Sequence, residues 1–262
     1  METTAIMNKG IDVSRHNGVI DWAKVKADGV KFAMIRAGYG AGNIDDKFDR
    51  NISECNRLGI PCGVYWFSYA YNADMARKEA QACLKAVKPY KLEYPIAFDL
   101  EYDTVDYAAG KGVTITKKLA TELVIAFCEE IEKAKYFAVN YANIDYLRRY
   151  FDDSLLQKYG LWLAAWTDKT EPAYKCYMWQ YSSTGKVNGI SGEVDMNRGY
   201  VDFPKMIREA GLNGLKKTEK KWYQDALDWG IENGITDGTN PEEPATRAQV
   251  IVMLKRFRDK FI

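Results

Sequence analysis

Short apolar runs alternate with helical patterns along most of this chain, and this alternation limits the folds that it can adopt. Up to Gly160, runs such as VKFAMIRAGYG and PIAFDLE are followed by segments whose apolar residues recur at helical spacing. These runs are apolar throughout, which is typical of strands buried on both faces. Glycines directly after helical patterns, as at Gly29 and Gly59, suit left-handed helix caps. Five such rounds predict a parallel sheet covered by helices.

The pattern changes after Gly160. LWLAAW, CYMWQYS and EVDMN are strand-like, but the segments between them, TDKTEPAYK and SSTGKVNGISG, are rich in turn formers and too short or broken for crossover helices. The sequence therefore predicts five βα units followed by three strands, and eight strands are enough to close a barrel. We expect an α/β fold, an irregular (β/α)-barrel of five βα units plus three strands, followed by a small helical C-terminal domain.

The C-terminal part of the chain indicates a second domain. FPKMIREA is typical of a last barrel helix, and the LNGLKKTEKK stretch that follows is polar and basic. WYQDALDWGIENG and ATRAQVIVMLKRF have the pattern of amphipathic helices joined by a turn-rich loop. We place a barrel domain at residues 1–209, a linker at 210–217 and a helix–loop–helix module at 218–262. A module of this size is marginal for folding alone.

Composition excludes several classes of function. The 37 lysines and arginines nearly balance the 36 acids among 262 residues, and no long basic run is present, so we expect no nucleic-acid partner. No apolar run is long enough to span a bilayer, so we expect no membrane partner. The five cysteines are scattered and the chain has one histidine, which argues against a metal site or a disulfide framework. The sequence predicts buried reduced thiols, no metal and no cofactor.

Acidic residues come at the ends of several predicted strands. Asp12 ends the first strand, Asp99 and Glu101 end PIAFDLE, and Asp195 lies in the last strand. In a closed parallel barrel the carboxyl ends of the strands meet at one mouth, where ligands bind. Burying like charges there costs desolvation and repulsion, which stability does not explain. Asp99 and Glu101 are two apart and face the same way, so crowding raises one pKa and keeps a proton available.

Paired carboxylates beside tyrosine and tryptophan rings suit glycoside hydrolysis, in which one acid protonates the leaving oxygen and the rings pack against sugars. Other interpretations of the same residues stay open. A solvated strand end also explains an Asp-x-Glu pattern, and Asp12 could cap the next helix or hold Arg36. Asp195 could belong to a turn, and the aromatic residues could be plain core.

Six motifs, in this order, resemble the glycoside hydrolase family 25 lysozymes: GIDVSRHNGVIDW, VKFAMIRAGYG, GVYWFSYA, PIAFDLE, MWQYSS and VDMN. The resemblance covers about residues 8–208 and implies the same irregular barrel. It implies that Glu101 is the general acid, that Asp99 is its partner carboxylate, and that Asp12 and Asp195 are further acids of the cleft. It also implies residues that line the sugar site, and we include the arginine that ends the second strand. This predicted set is Tyr65, Tyr141, Trp179, Asn197 and Arg36.

The C-terminal segment from Trp222 to Phe257 resembles one S-layer homology repeat, through its Trp/Ala helix, its NGI-x-DG turn and the TRAQ start of its second helix. Such repeats attach proteins to wall polymers and usually come in threes that pack together. This chain has one. The resemblance therefore implies either self-association through residues 218–262 or a minimal module for another wall ligand.

The two resemblances together imply an endolysin-type N-acetylmuramidase that cuts the β-1,4 bond between N-acetylmuramic acid and N-acetylglucosamine in Gram-positive peptidoglycan. The start METTAIMNKGID has no signal-peptide pattern, so we expect synthesis in a host cytoplasm and action on the wall after release. A bacterial autolysin and a non-catalytic wall-binding protein are the alternatives. The second chemical step is expected to use the substrate acetamido group, oriented by Asp99, with direct water attack and inversion as the alternative.

Overall fold

The computed structural model of the chain describes residues 8–167, 171–217 and 221–262. Three short stretches lie outside these ranges, among them part of the predicted turn-rich segment TDKTEPAYK and the first residues of the predicted C-terminal module. These stretches are 1–7, 168–170 and 218–220. Within the described ranges, no helix combines the length and apolar character needed to cross a bilayer.

The chain divides into two compact units, Met1–Lys217 and Thr218–Ile262. The first unit is an α/β domain built on a closed barrel of eight strands. These strands are β1 (Asn8–Val13), β2 (Phe32–Tyr39), β4 (Cys62–Phe67), β5 (Ile96–Asp99), β6 (Ala138–Asn143), β7 (Gly160–Ala164), β8 (Met178–Gly185) and β9 (Val194–Gly199), while β3 (Asn43–Ile44) is a short addition beside β2. The barrel closes because β1 pairs with β2 on one side and with β9 on the other.

The last strand of the barrel corrects the prediction of a parallel sheet. The pairs among the other seven barrel strands are parallel, but β9 is antiparallel to both β8 and β1. The reason lies in the connection between β8 and β9, which is a short loop without a helix and so returns the chain as a hairpin. Asp195 therefore lies at the start of its strand, and it still pairs directly with Asp12 at the mouth.

Helices follow the first five barrel strands and the last one. Those of the first unit are α1 (Trp22–Ala27), α2 (Phe48–Leu58), α3 (Ala73–Val87), α4 (Tyr102–Gly110), α5 (Lys117–Lys133), α6 (Ile144–Arg149), α7 (Asp153–Leu156) and α8 (Phe203–Ala210). The sequence analysis missed α4, whose residues YDTVDYAAG show no clear apolar stripe. Its start is fixed by a contact instead, because the Glu101 N–H donates to Thr104 Oγ1 at 3.2 Å. Glu101 thus leaves the strand and sits directly before a helix.

Side chains of the barrel strands alternate between two cores. The smaller core fills the barrel and includes Phe32, Met34 and Trp162. The larger core lies between the strands and the surrounding helices and includes Phe98 and Trp179. All five cysteines are buried and unpaired; they are Cys55, Cys62, Cys83, Cys128 and Cys176. This alternation decides which strand residues can reach the mouth of the barrel.

The segment after α8, which the sequence assigns to a linker, is fastened to the barrel. Asn213 is buried, and its side chain accepts a hydrogen bond from the Phe137 N–H at 2.8 Å. The same side chain donates to the carbonyl oxygens of Leu92 (3.2 Å) and Tyr94 (3.1 Å). The sequence shows a polar stretch here because these partners are more than 70 positions away along the chain.

The second unit consists of α9 (Gln224–Glu232), a loop and α10 (Arg247–Phe261). Trp229 stacks on Phe261 with 5.5 Å between ring centroids, and this contact joins the two helices. Among residues 221–262 only Gly230 is buried. Large apolar side chains stay on the surface, such as Ile251 at 66% and Leu254 at 63% exposure. The unit therefore has almost no core of its own.

Candidate active site

Four acids meet at the mouth of the barrel. Asp12 is the last residue but one of β1, Asp195 is the second residue of β9, Asp99 ends β5, and Glu101 lies between β5 and α4. The carboxyls of Asp12 and Asp195 are hydrogen-bonded to each other, and so are those of Asp99 and Glu101. The two pairs also interact through their charges, since Asp12 raises the pKa of both Asp99 and Glu101. The structure thus brings together all four acids that the sequence predicts as catalytic.

Two side-chain amides donate hydrogen bonds to Asp12. Gln180 Nε2 donates to Asp12 Oδ2 at 2.8 Å, and Asn197 Nδ2 donates to the same oxygen at 2.7 Å. Each amide is oriented by an indole N–H, which can only donate. The donor to Asn197 Oδ1 is Trp162 at 2.8 Å, and the donor to Gln180 Oε1 is Trp166 at 3.1 Å. Both amide nitrogens are therefore turned toward Asp12.

The pair of Asp12 and Asp195 holds a proton at neutral pH. Burial raises the pKa of Asp12 to about 6, although the hydrogen bonds from Gln180 and Asn197 act to lower it. Burial, followed by the charge of Asp12 and the hydrogen bond to it, raises the pKa of Asp195 to about 8. Near pH 7, Asp12 is therefore ionised and Asp195 donates a proton to it.

The pair of Asp99 and Glu101 also shares a proton. Burial is the main cause that raises the pKa of both carboxyls, and the charge of Glu101 raises that of Asp99 further. The hydrogen bond between them raises the pKa of Asp99 and lowers that of Glu101. Asp99 is buried, and its Oδ1 finds no N–H or O–H donor among the described residues. Two hydrogen-bonded carboxyls titrate as a unit that keeps one proton well above the usual range. This arrangement can supply an acid near neutral pH.

Aromatic rings form the wall beside the acids. Trp162 makes edge-to-face contacts with Tyr65 and Tyr141, at centroid distances of 5.9 Å and 4.9 Å. The Tyr141 hydroxyl donates to Gln180 Oε1 at 3.2 Å. Burial and the charges of the nearby acids raise the pKa of both tyrosines well above the ordinary value. Tyr65 and Tyr141, both predicted to line the sugar site, therefore face the acids.

Two other predicted sugar-binding residues lie elsewhere. Asn197 is fully buried and holds Asp12, so its part is to position an acid. Trp179 is also fully buried, and its indole N–H donates to the Ala165 carbonyl oxygen at 2.8 Å. It belongs to the outer core because its neighbour Gln180 points inward and strand residues alternate. Trp179 does not reach the cleft.

Arg36 lies near the acids but is bound to another residue. Its guanidinium pairs with the buried Asp45, with Nε–Oδ2 at 2.8 Å and a second nitrogen at 2.7 Å from the same oxygen. Its charge lowers the pKa of Asp99, so it does act on the cleft. The sequence analysis missed Asp45, because this residue follows the short strand β3 and its role depends on the fold around Arg36.

The sequence analysis also missed Trp162, Trp166 and Gln180 as site residues. A signal for Trp162 was present, because strict alternation along LWLAAW places it on the face opposite to Leu161 and Leu163. Trp166 follows the end of β7 and is 64% exposed, so its ring is available at the mouth. Gln180 is the polar inward neighbour of Trp179. The sequence analysis chose Trp179, but this residue lies on the outer face of β8, and the adjacent Gln180 lies on the face that points to the acids.

Comparison with known proteins gives consistent matches. The sequence profile of the glycosyl hydrolases family 25 matches residues 11–190. Lysozyme M1 of Streptomyces globisporus is 28% identical over 199 residues, covering 72% of this chain and 67% of that protein. The family 25 glycosyl hydrolase from Bacillus anthracis is 26% identical with a TM-score of 0.64, covering 76% of this chain and 92% of that one.

The modular autolysin LytC from Streptococcus pneumoniae, solved in complex with a synthetic peptidoglycan ligand, is 32% identical with a TM-score of 0.66. The match covers 74% of this chain and 47% of the LytC chain, so this chain spans about half the length of that relative.

Proposed function

Because the chain belongs to the glycosyl hydrolases family 25, we propose that its barrel hydrolyses the β-1,4 bond between N-acetylmuramic acid and N-acetylglucosamine in peptidoglycan. The barrel is a glycoside hydrolase domain, and the observation that carries the choice of bond is the set of four acids, paired by hydrogen bonds, beside a tyrosine and tryptophan wall. The likeness to Lysozyme M1 and to LytC, which was solved with a peptidoglycan ligand, supports this substrate.

Glu101 is the general acid of the proposed reaction. It donates its proton to the glycosidic oxygen as the bond to the anomeric carbon breaks. Its raised pKa supports this role, because an ordinary glutamate is ionised at neutral pH; burial raises this pKa, and the hydrogen bond with Asp99 acts to lower it. It is also less deeply buried than Asp99, which leaves it nearer to a bound substrate.

As the glycosidic bond breaks, the substrate acetamido oxygen attacks the anomeric carbon, with Asp99 accepting the acetamido N–H. Water then attacks the anomeric carbon of this cyclic intermediate, which reopens the acetamido group and returns a proton to Glu101. Asp99 suits this part because its Oδ1 has no donor among the described residues. Its direct hydrogen bond to Glu101 leaves no room between them for a water, whereas inversion uses carboxyls about 6.5–9.5 Å apart. Water activated by Asp12 is the alternative, and Asp12 is the more acidic member of its pair.

The second unit is proposed to hold the enzyme on the wall of a Gram-positive cell. Its exposed apolar residues, among them Trp222 at 94% exposure, support a unit that is completed by a wall polymer or by further copies of residues 218–262. In this proposal the protein is an endolysin that is made in the host cytoplasm and reaches the wall on release. The likeness to the autolysin LytC favours a second candidate, an enzyme that remodels the wall of its own cell.

A digest tests the proposed bond. Purified Gram-positive peptidoglycan is treated with the protein, and the soluble products are analysed by mass spectrometry before and after borohydride reduction. We expect reduced muramic acid ends. Reduced glucosamine ends would assign a different glycosidic bond, and released free peptides would indicate an amidase or peptidase. Soluble products released equally by Glu101→Gln would remove Glu101 from the acid role.

A further inference from the structure

A buried carboxylate lies behind the barrel mouth, on the helix that follows β4. Glu79 on α3 is 1% exposed. Its Oε2 accepts a hydrogen bond from Ser68 Oγ at 2.6 Å, and its Oε1 accepts one from the Tyr69 N–H at 3.0 Å. Burying a carboxyl costs free energy that hydrogen bonds only partly offset. An apolar residue would fill this place in the core at a smaller cost.

The residue that Glu79 holds is connected to both acids of the Asp99–Glu101 pair. The Ser68 N–H donates to the Asp99 carbonyl oxygen at 2.8 Å. The Ser68 carbonyl oxygen accepts from Thr104 Oγ1 at 2.6 Å, and Thr104 Oγ1 in turn accepts from the Glu101 N–H at 3.2 Å. The main chain of Ser68 is therefore bonded directly to the main chain of Asp99, and through Thr104 to the main chain of Glu101.

We propose that Glu79 is a positioning residue, which fixes Ser68 and through it the relative placement of the Asp99 and Glu101 carboxyls. This inference rests on the proposed function, since it assigns the pair its chemistry. Ser68 and Thr104 are both fully buried, so the chain of hydrogen bonds is shielded from competing water. Misplacement of a catalytic group by about 1 Å can lower the rate on the order of a hundredfold, so a residue that fixes the two carboxyls can affect catalysis without contacting the substrate.

The hydrogen bonds explain why the position suits a carboxylate. Ser68 Oγ also accepts from the Ala70 N–H at 3.0 Å, so its own proton is left to donate to Glu79. Glu79 thus receives two donors, one at each oxygen. A glutamine has one oxygen and one NH₂ group, so Glu79→Gln can keep the bond from the Tyr69 N–H but replaces the acceptor of the Ser68 proton by a donor. The Ser68 hydroxyl then loses its buried acceptor.

The test compares three variants of the full-length protein on soluble, peptide-free glycan strands prepared from Gram-positive peptidoglycan. Glu79→Gln removes the anchor, and Thr104→Val removes the bridge to Glu101. Thr121→Val is the matched control. Thr121 is also a buried threonine whose hydroxyl donates to a carbonyl (Lys117, 2.8 Å) and accepts from an N–H (Asp152, 2.9 Å), but it lies on α5. Circular dichroism and thermal unfolding report folding, and kcat and KM are measured separately.

We expect kcat to fall on the order of tenfold to a hundredfold in Glu79→Gln and Thr104→Val, with KM within about twofold of wild type. Thr121→Val is expected to lower the unfolding temperature similarly while keeping kcat. If Glu79→Gln does not fold, the kcat of Thr104→Val decides whether the positioning role holds. A wild-type kcat in folded Glu79→Gln and Thr104→Val, or an equal fall in Thr121→Val, overturns the positioning role. A wild-type protein that cuts no glycan overturns the proposed function, and the positioning role falls with it.

Discussion

The two units of this protein depart from the usual distribution of residues in opposite ways. The barrel buries carboxylic acids at its mouth, of which Asp12 and Asp99 are about 5% exposed or less. The second unit leaves large apolar side chains in solvent, such as Leu254 and Ile251. Both arrangements cost stability. The difference teaches that the barrel carries its acids inside a finished core, whereas the second unit leaves its apolar side chains on the surface.

The largest expected effect tests the barrel side of this comparison. Glu101→Gln removes the acid proton but keeps the shape of the side chain, so we expect lysis of Gram-positive walls to fall by about 10²–10⁴-fold. The protein should stay folded, because the change relieves the crowding of two buried carboxyls. A turbidity assay with purified walls, together with thermal unfolding, checks both statements. Near-normal lysis by this variant would remove Glu101 from the acid role.

A second prediction concerns the stability that the buried acids cost. The folded-state pKa values of Asp12 and Asp195 are raised, to about 6 and about 8, so the native state keeps protons that the unfolded chain releases. The free energy of unfolding that these two raised pKa values contribute is complete below about pH 3.8. It is lost as the pH rises through about 6 and about 8. Asp195→Asn places an amide N–H donor opposite Asp12, and this amide does not titrate in this pH range.

We therefore expect the wild type to lose stability relative to Asp195→Asn between about pH 4 and pH 8, by a few kcal/mol. Urea unfolding of both proteins at intervals of one pH unit measures this difference. Parallel curves across that range would contradict the raised pKa of Asp195. The comparison cancels the surface carboxylates, which are the same in both proteins.

Two buried tryptophans allow the inner and outer faces of the barrel strands to be compared, since Trp162 lies inside the barrel and Trp179 lies in the outer core. Trp162→Phe and Trp179→Phe each remove one buried indole N–H bond of 2.8 Å, the first to Asn197 and the second to Ala165. Both should lose about 1–3 kcal/mol of stability, because a buried acceptor is left unpaired. The rate of peptidoglycan hydrolysis should fall several-fold in Trp162→Phe alone. The indole of Trp162 orients Asn197, whose amide donates a hydrogen bond to Asp12. Equal rates in the two variants would argue against the network behind Asp12.

The smallest effect on stability is expected in the second unit. Leu254→Lys adds a charge to an exposed apolar site on α10, so the free energy of unfolding should change by less than about 0.5 kcal/mol. If copies associate through residues 218–262, light scattering should show a smaller particle for Leu254→Lys. Lys255→Gln, the adjacent exposed position, serves as control and should leave the particle unchanged. A wild type that is monomeric at all concentrations would leave a wall ligand as the partner.

The fold was predictable where the sequence pattern is local. Alternating strand and helix patterns predict a closed α/β barrel, and acids at strand ends predict where the mouth is. The antiparallel course of β9 lies outside this alternating pattern, because the connection before it is a short loop without a helix, which returns the chain as a hairpin. The start of α4 was hidden as well, since a contact between Glu101 and Thr104 fixes it rather than a hydrophobic stripe.

The candidate site was predictable only in its charged part. Acids stand out because burying them is costly, so Asp12 and Glu101 could be found from their positions. The residues that hold them are ordinary amides and indoles, and their partners are remote. Gln180 and Asp12 are 168 positions apart, and no local pattern connects them. Trp179 shows the converse case, in which an aromatic residue next to a site residue belongs to the outer core.

The antiparallel closing strand has a consequence for the synthesis of the protein. Asp12 emerges early from the ribosome, but its hydrogen-bond donors lie on β8 and β9, and β9 is also the strand that closes the barrel against β1. A nascent chain that ends before Val194 therefore has an open sheet and lacks Asn197, one of the two amide donors to Asp12. We expect hydrolytic competence only when the last strand is present, so translation products that stop before Val194 should be inert.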